Sequence, residues 1–490
     1  MKRNVCVIGL DCADPHLVFD LFRPALPNLG RIMSAGWYGP LESTIPPITV
    51  PAWMCMMTGK DPGTLGIYGF RNRKDHSYEG LTFANSSMVR EPAVWDLLAQ
   101  AGKRAILLGV PLTYPPRPVN GLLVSGFLAP DTASNFTYPA DLRTEILEVA
   151  PNYMLDVRNF RTEDKQWLLG QIYQMTEQRF RVARHLITTK PWDLFVMVEM
   201  GPDRIHHGFW RYFDRDHPLY EPGNPYESAI RDYYVELDRM VGEVLDLLPD
   251  DTLVLVVSDH GAKRMIGGIC INEWLMQEGY LVLREQPKEP VKLTPQMVDW
   301  QRTKAWGDGG YYGRLFLNVE GREPAGTVRP QDYEPLRKEL ASRLEALPDE
   351  HGNPIGTRVF LPQEIYGACN NVPPDLIVYF GDLNWRSVGS VGRGTIWVHE
   401  NDTGPDDANH GQYGICLMAG MDAVRSGRAG GIYREGMSIY DIAPTILNAF
   451  GITPPPGMGR SVLDLPDTPW TYTPEEEAEI ARRLEDLGYL

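Results

Sequence analysis

A threonine at the start of a helix is well placed to meet a phosphate. Thr49 follows the Pro-rich approach Thr44-Ile45-Pro46-Pro47-Ile48 and precedes the apolar, Met-rich run Val50 to Met57. That run has helical length, so the pattern predicts a buried helix with Thr49 at its N-cap. Free backbone N–H groups and the positive end of the helix dipole gather there, where a phosphate oxyanion would be held. Capping alone is the commoner job of such a residue, so the weight falls on its company. Asp203 and His207 lie in Pro202-Asp203-Arg204-Ile205-His206-His207. On a helical turn that spacing puts both on one face, as two ligands of one metal would need, while His206 points elsewhere. Asp259 and His260 stand in Ser258-Asp259-His260-Gly261, Asp11 in Leu10-Asp11-Cys12, and His410 in Asn409-His410-Gly411. Each has an ordinary alternative: a helix-capping aspartate before Pro15, a polar turn at Asp259, a turn histidine at His410.

The elements around these residues favour the chemical reading. Val5 to Leu10, Asp193 to Val198 and Thr252 to Val257 are short, continuously apolar runs rich in β-branched residues, the pattern of parallel strands buried on both faces. Each runs into Asp, or Asp with His. In open α/β sheets the ligand crevice lies beyond the carboxyl ends of the strands, so topology carries Asp11, Asp203 and Asp259 to one edge. The pattern from Asp141 to Thr188 is helical, a lid or flanking layer at about 141–190, and a polar surface excursion follows at about 284–303. Arg314 and Arg322 could meet a phosphate, although salt-bridging roles are commoner. Glu400 to Asp407 reads as an acidic loop, and Glu475 to Leu487 as a charged amphipathic helix. Because candidate ligands run from Asp11 to His410, residues 1–450 must fold as one catalytic domain, with 451–490 as a tail.

Composition narrows the classes. The chain has 490 residues, 43% of them hydrophobic, and a formal net charge of −17. Such a balance argues against a nucleic-acid polymer as partner, and an anionic substrate would need positive charge supplied locally. Six scattered cysteines without a CxxC pair read as reduced core residues of a cytoplasmic protein. The apolar run near the N-terminus stops at Asp11, too short for a secretory signal, and no stretch approaches the ~20 apolar residues of a membrane span.

Taken together, the motifs resemble the alkaline phosphatase superfamily, and within it the type I phosphodiesterase and nucleotide pyrophosphatase branch, over roughly residues 3 to 450. The nucleophilic threonine of that branch is followed by Pro, Thr-Gly, Pro and Gly-Ile, present here as Thr49, Pro51, Thr58-Gly59, Pro62 and Gly66-Ile67. Its Pro-Asp-x-x-x-His, Ser-Asp-His-Gly and late His-Gly match Pro202-Asp203 with His207, Ser258 to Gly261, and His410-Gly411. The resemblance implies an α/β fold with a mostly parallel central sheet and helices on both faces. It implies one divalent ion on Asp203, His207 and His410, and a second on Asp11, Asp259 and His260 with Thr49 completing the shell. The mixed carboxylate and imidazole donors suit zinc and accept manganese. Metal coordination would activate the Thr49 hydroxyl, giving a phosphothreonine intermediate that water hydrolyses. The substrate is then a small phosphate ester, foremost a phosphodiester, with phosphomonoesterase, phosphomutase and non-catalytic binding protein as alternatives. Two departures stand out. Ala52 occupies a position where the branch usually has Asn, and the Asn expected soon after Gly-Ile is replaced by a displaced Asn72, leaving Arg71 or Arg314 as other groups for the phosphate oxygen. Cys55 lacks the Cys-x-Pro-x-Arg context of sulfatases.

Overall fold

The computed structural model describes residues 4–464. Its centre is a ten-stranded sheet. In chain order its strands and the helices that bear on the site are β1 (Val5–Leu10), β2 (Trp37–Glu42), α1 (Thr49–Thr58), β3 (Ala105–Leu108), β4 (Gly121–Val124), β5 (Thr137–Tyr138), α2 (Lys165–Thr189), β6 (Leu194–Glu199), α3 (Gly201–Phe213), α4 (Ala229–Leu247) and β7 (Leu253–Val257). Then come β8 (Gly261–Arg264) and β9 (Ala408–Gly411), which pair with each other apart from the sheet, followed by β10 (Tyr413–Gly420), β11 (Ile432–Tyr433) and β12 (Met437–Ser438). The sheet order is β11-β2-β10-β7-β1-β6-β3-β4-β5, with β12 also on β2. The central run β7-β1-β6-β3-β4 is parallel, whereas β10 joins β7 and β2 in antiparallel register. This is the mostly parallel α/β sheet expected from the apolar runs, flanked by helices. The strand β2 was not visible as one, because its Gly39-Pro40 step breaks the apolar pattern.

Registers align the carboxyl ends. Leu10 of β1 pairs with Glu199 of β6, and Gly9 with Val257 of β7, so Asp11, the start of α3 and Ser258 leave the sheet at one level. Cys12 then adopts a left-handed turn (φ 65°). The turn lets its N–H donate to Asp259 Oδ1 at 3.2 Å, while Ala13 N–H donates to Ser258 Oγ at 2.9 Å. Gly9 is needed for space, since a Cβ there would lie 2.4 Å from the Trp53 ring of α1. The helices α2, α3 and α4 pack on one another, so the segment at 141–190 contributes a flanking layer built on α2.

Residues between Arg264 and Ala408 form smaller sheets of their own. One has four strands, Ala305–Asp308, Gly313–Leu317, Leu376–Tyr379 and Arg358–Phe360, in that spatial order. A separate apolar cluster including Ile271, Leu315, Leu317, Leu340 and Leu376 lies beneath them. Arg322 is held there by Asp375 at 2.8 Å and Glu323 at 2.9 Å, a structural role that leaves it no part in phosphate contact. All six cysteines are free. No helix among the described residues is long and apolar enough to cross a membrane. The amphipathic helix expected at Glu475 to Leu487 lies outside the described residues.

Candidate metal centre and nucleophile

The helix α1 begins one residue earlier than its sequence suggests. Ile48, with extended backbone (φ −118°, ψ 127°), is the N-cap, and Thr49 is the first helical residue. Ile48 C=O accepts from Ala52 N–H at 2.9 Å, and Pro51 falls in the first turn, where its missing N–H is harmless. The shift frees the Thr49 hydroxyl from capping, and its Oγ1 lies 3.2 Å from His260 Nε2. Every residue of α1 is buried, so the hydroxyl sits on an element with little freedom to move.

The candidate ligands are placed by four elements. Asp11 follows β1, Asp203 and His207 occupy successive turns of α3, Asp259 and His260 follow β7, and His410 lies within β9. His410 is therefore a strand residue rather than a turn residue. The β8–β9 ladder pairs Gly261 with Gly411 and Ala262 with His410, which stacks the His260 and His410 rings 3.8 Å apart. Ligand atoms of Asp203, His260 and His410 lie within 4.8 Å of one another, as do those of Asp11, Asp259 and His260. His207 Nε2 adjoins the first group, 3.2 Å from Asp203 Oδ1 and 3.3 Å from His410 Nε2. All the predicted ligands thus converge, with His260 shared between the two groups. His206 is buried and points away, stacked on Tyr234.

Hydrogen bonds on the far side of each ring fix its tautomer. His410 Nδ1 faces the Pro47 carbonyl at 2.7 Å and His260 Nδ1 the Gly261 carbonyl at 3.0 Å. A carbonyl only accepts, so both Nδ1 atoms carry the proton. His207 Nδ1 likewise donates to Asp406 Oδ1 at 2.6 Å. All three Nε2 atoms then present lone pairs inward. They meet Asp11 Oδ1, Asp203 Oδ1 and Asp259 Oδ2, which are buried and have no hydrogen-bond partner among the described residues. Lone pairs facing buried carboxylate oxygens need protons or cations between them, and the mix of carboxylate and imidazole donors fits divalent metal on the chemistry of its own atoms.

Ionisation tendencies differ among the ligands. Burial and the neighbouring Asp259 charge push the Asp11 carboxyl well above the ordinary range, and burial does the same to Asp259. Burial lowers His260 to about 4 and holds His410 well below its usual value, which keeps both imidazoles neutral, as metal ligation requires. Burial opposes the charged forms of Asp203 and His207, but the charges of Asp406 and Asp203 raise His207 to about 9, and those of His207 and Arg204 draw Asp203 well down, so a metal ion at His207 Nε2 would have to displace a proton.

Several supporting residues were not foreseen. Trp53 Nε1 donates to Asp11 Oδ2 at 2.6 Å, holding that carboxylate with its other oxygen inward. Asp406, read only as part of an acidic loop, is fully enclosed and orients His207. Tyr311 stacks on His207 and His410 with centroids 5.0 and 4.6 Å away, and its hydroxyl donates to Asp406 at 3.0 Å. Asn72 turns out to be structural. Its Oδ1 accepts from Tyr68 N–H at 2.8 Å and its Nδ2 donates to the Gly69 carbonyl at 3.0 Å, so both ends of the amide are occupied in locking a turn.

Comparison with known proteins fits this geometry. Residues 5–411 match the family model of type I phosphodiesterase / nucleotide pyrophosphatase. The chain belongs to that family. No curated protein matches it in sequence. Among solved structures it is similar to human ectonucleotide pyrophosphatase / phosphodiesterase 5, with 13% identity, 94% of this chain and 98% of that one covered, and a TM-score of 0.53. The inactive murine counterpart in complex with AMP gives 13%, 94%, 98% and 0.55. Phosphonoacetate hydrolase from Sinorhizobium meliloti 1021 with phosphonoformate gives 16%, 87%, 95% and 0.52. At such identities the likeness shows the shared fold. Family membership marks the chain as a phosphoester hydrolase by type.

Proposed function

We propose that this protein is a two-metal phosphohydrolase that cleaves small phosphate esters, foremost phosphodiesters, with Thr49 as nucleophile. The observation that carries the reading is the inward set of lone pairs on His207, His260, His410, Asp11, Asp203 and Asp259, gathered beside one hydroxyl. Asp203, His207 and His410 would hold one ion, and Asp11, Asp259, His260 and Thr49 the other, with His260 near enough to both groups to adjust between them. The donors suit Zn²⁺ and accept Mn²⁺. Bound there, the ions would supply the positive charge that favours a threonine alkoxide near neutral pH and offsets charge developing on the phosphoryl oxygens.

The chain's own residues account for the rest. Thr49 Oγ1 attacks phosphorus and forms the Oγ1–P bond as the bond from phosphorus to the leaving oxygen breaks; the hydroxyl proton leaves to solvent. Water then attacks phosphorus, the Oγ1–P bond breaks, and the hydroxyl is restored. The N-terminus of α1 adds positive potential beside the phosphoryl group. Asp406, Pro47 and Gly261 keep the three imidazoles in the tautomer that leaves Nε2 free. The small phosphorus compounds bound by the two structural relatives, AMP and phosphonoformate, support the same ligand class here.

The test is an assay of protein stripped and reloaded with Zn²⁺ or Mn²⁺ against bis(p-nitrophenyl) phosphate, p-nitrophenyl phosphate and p-nitrophenyl sulfate. The diester is expected to be the best substrate. Dominant monoester turnover would replace the phosphodiesterase reading, and silence on all three would remove the hydrolase reading.

A further inference from the structure

Beside the nest lies a cavity of about 150 Å³ whose wall starts at Ile48, the neighbour of Thr49, and continues through Tyr311. Four arginines line it, Arg71, Arg161, Arg314 and Arg386, and no carboxylate does. Their acidic partners do not line it, although Asp308 and Asp402 line the larger cavity next to it. Arg314 and Arg71 share Asp308, Arg386 reaches Asp402 at 3.3 Å, and Arg161 reaches Asp406 at 2.9 Å. Four guanidiniums thus face three carboxylates, one of which, Asp406, is also committed to His207. In a chain with a net charge of −17, such a local surplus of cations needs a reason.

The individual arginines are built in rather than incidental. Arg314 and Arg386 are only 6% exposed, and Arg386 Nε finds no acceptor among the described residues. Arg71 is the accessible one, its side chain 35% exposed, with a long 3.4 Å contact to the Gly309 carbonyl and a 3.5 Å approach to Asp308. None of the four has a hydrogen bond or ion pair with Thr49 or with the candidate metal ligands. The guanidiniums are therefore not bound up with the groups that would hold a phosphorus atom at Thr49 Oγ1, and they can meet another part of the same ligand. Through Arg71, Arg386 and Thr403 the cavity adjoins a larger one of about 850 Å³, walled by Trp300 and Trp306, a size that accepts a small organic ligand.

We propose that this arginine-lined cavity is a second anion subsite, so that the preferred substrate carries, beyond the phosphoryl group under attack, another carboxylate or phosphate held by Arg71 and Arg386. Guanidinium suits either anion through paired N–H donors. This inference rests on the hydrolase reading for the position of the reacting phosphorus, but its binding part can be measured without turnover.

The experiment compares three matched p-nitrophenyl diesters whose second arm is phenyl, 4-carboxyphenyl or 4-phosphonophenyl. For the unaltered enzyme we expect kcat/KM at least about tenfold higher with an anionic arm than with phenyl, a preference that shrinks as salt screens the arginines. In Arg71→Met the ratio should collapse to about twofold or less, with Arg71→Lys intermediate. Which anionic arm wins identifies the group as carboxylate or phosphate. A ratio near one in the unaltered enzyme, or one unmoved by Arg71→Met, overturns the proposal. The same esters are titrated calorimetrically into metal-loaded Thr49→Ala protein. Arm preference there without turnover in the unaltered enzyme would keep the subsite and remove the hydrolase reading, whereas turnover without preference would remove the subsite alone.

Discussion

Two neighbouring hollows of this molecule have opposite chemistry. In the nest around Thr49 the inward atoms are of the acceptor kind: three imidazole Nε2 atoms, close to one another and to the Thr49 hydroxyl, and three carboxylate oxygens without a hydrogen-bond partner among the described residues. In the adjoining cavity they are donors, four guanidiniums with no carboxylate on the wall. The nest suits cations and the cavity an anion, and Tyr311 touches both, through His207 and His410 on one side and Arg161 on the other. A phosphate ester is a ligand whose parts could serve the two at once. Chemistry and selection of substrate are thereby assigned to different atoms, and a perturbation of one should be separable from a perturbation of the other.

The sharpest way to break the contrast is Thr49→Ala. We expect kcat to fall by about 10³-fold or more while circular dichroism and melting temperature stay close to the unaltered protein, since Thr49 makes no capping bond. Retained activity would take Thr49 out of the mechanism. Next in size is Asp406→Asn. An amide still supports the His207 ring but withdraws the charge, so affinity for Zn²⁺ should drop by about 10- to 100-fold and activity should return at high metal. Unchanged metal affinity would reduce Asp406 to a packing role. Chelation sharpens the comparison from another side. Stripping should lower the melting temperature by several degrees, about 2 kcal/mol or more of stability if the ions bind about 100-fold below their working concentration, because the folded state alone gains the free energy of ion binding. Arg71→Met should show the same chelator-induced shift, and a lost shift in that variant would mean the two hollows are one. Smallest, Asn72→Ala should cost about 1–3 kcal/mol of stability, from the Tyr68 N–H left unpaired, with the preference among ester arms untouched. A change in that preference would return Asn72 to the substrate site.

Much of the nest could be read in the sequence because it follows from local rules. Apolar runs ending in Asp mark the carboxyl edge of a parallel sheet, and the Asp203/His207 interval works only on a helix, which α3 supplies. The register that levels Asp11, Asp203 and Asp259 comes from long-range pairing, yet the fold class entails it. What escaped depends on contacts that no spacing encodes. His410 is legible as a candidate ligand through the late His-Gly motif, but its strand setting is not, because its partner strand begins at Gly261, far away in sequence. Asp406 is one acid among several between Glu400 and Asp407, and since Asp407 is buried as well, only the contact with His207 distinguishes it. The Thr49 N-cap was misplaced by one residue because the apolar run, not the extended Ile48, seemed to mark the boundary. The arginines of the cavity come from remote stretches of chain and form no motif at all.

The ladder between β8 and β9 has one more consequence. Its outer rung pairs Arg264 with Ala408, so everything between them departs and returns through a single gate, while the six ligands stay on or behind it. Arg314 and Arg386 belong to that detour; Thr49 does not. A lineage could lengthen, trim or exchange most of the detour and acquire a taste for new esters, and the six ligands would be inherited intact so long as Asp406 and Tyr311 kept their places against His207.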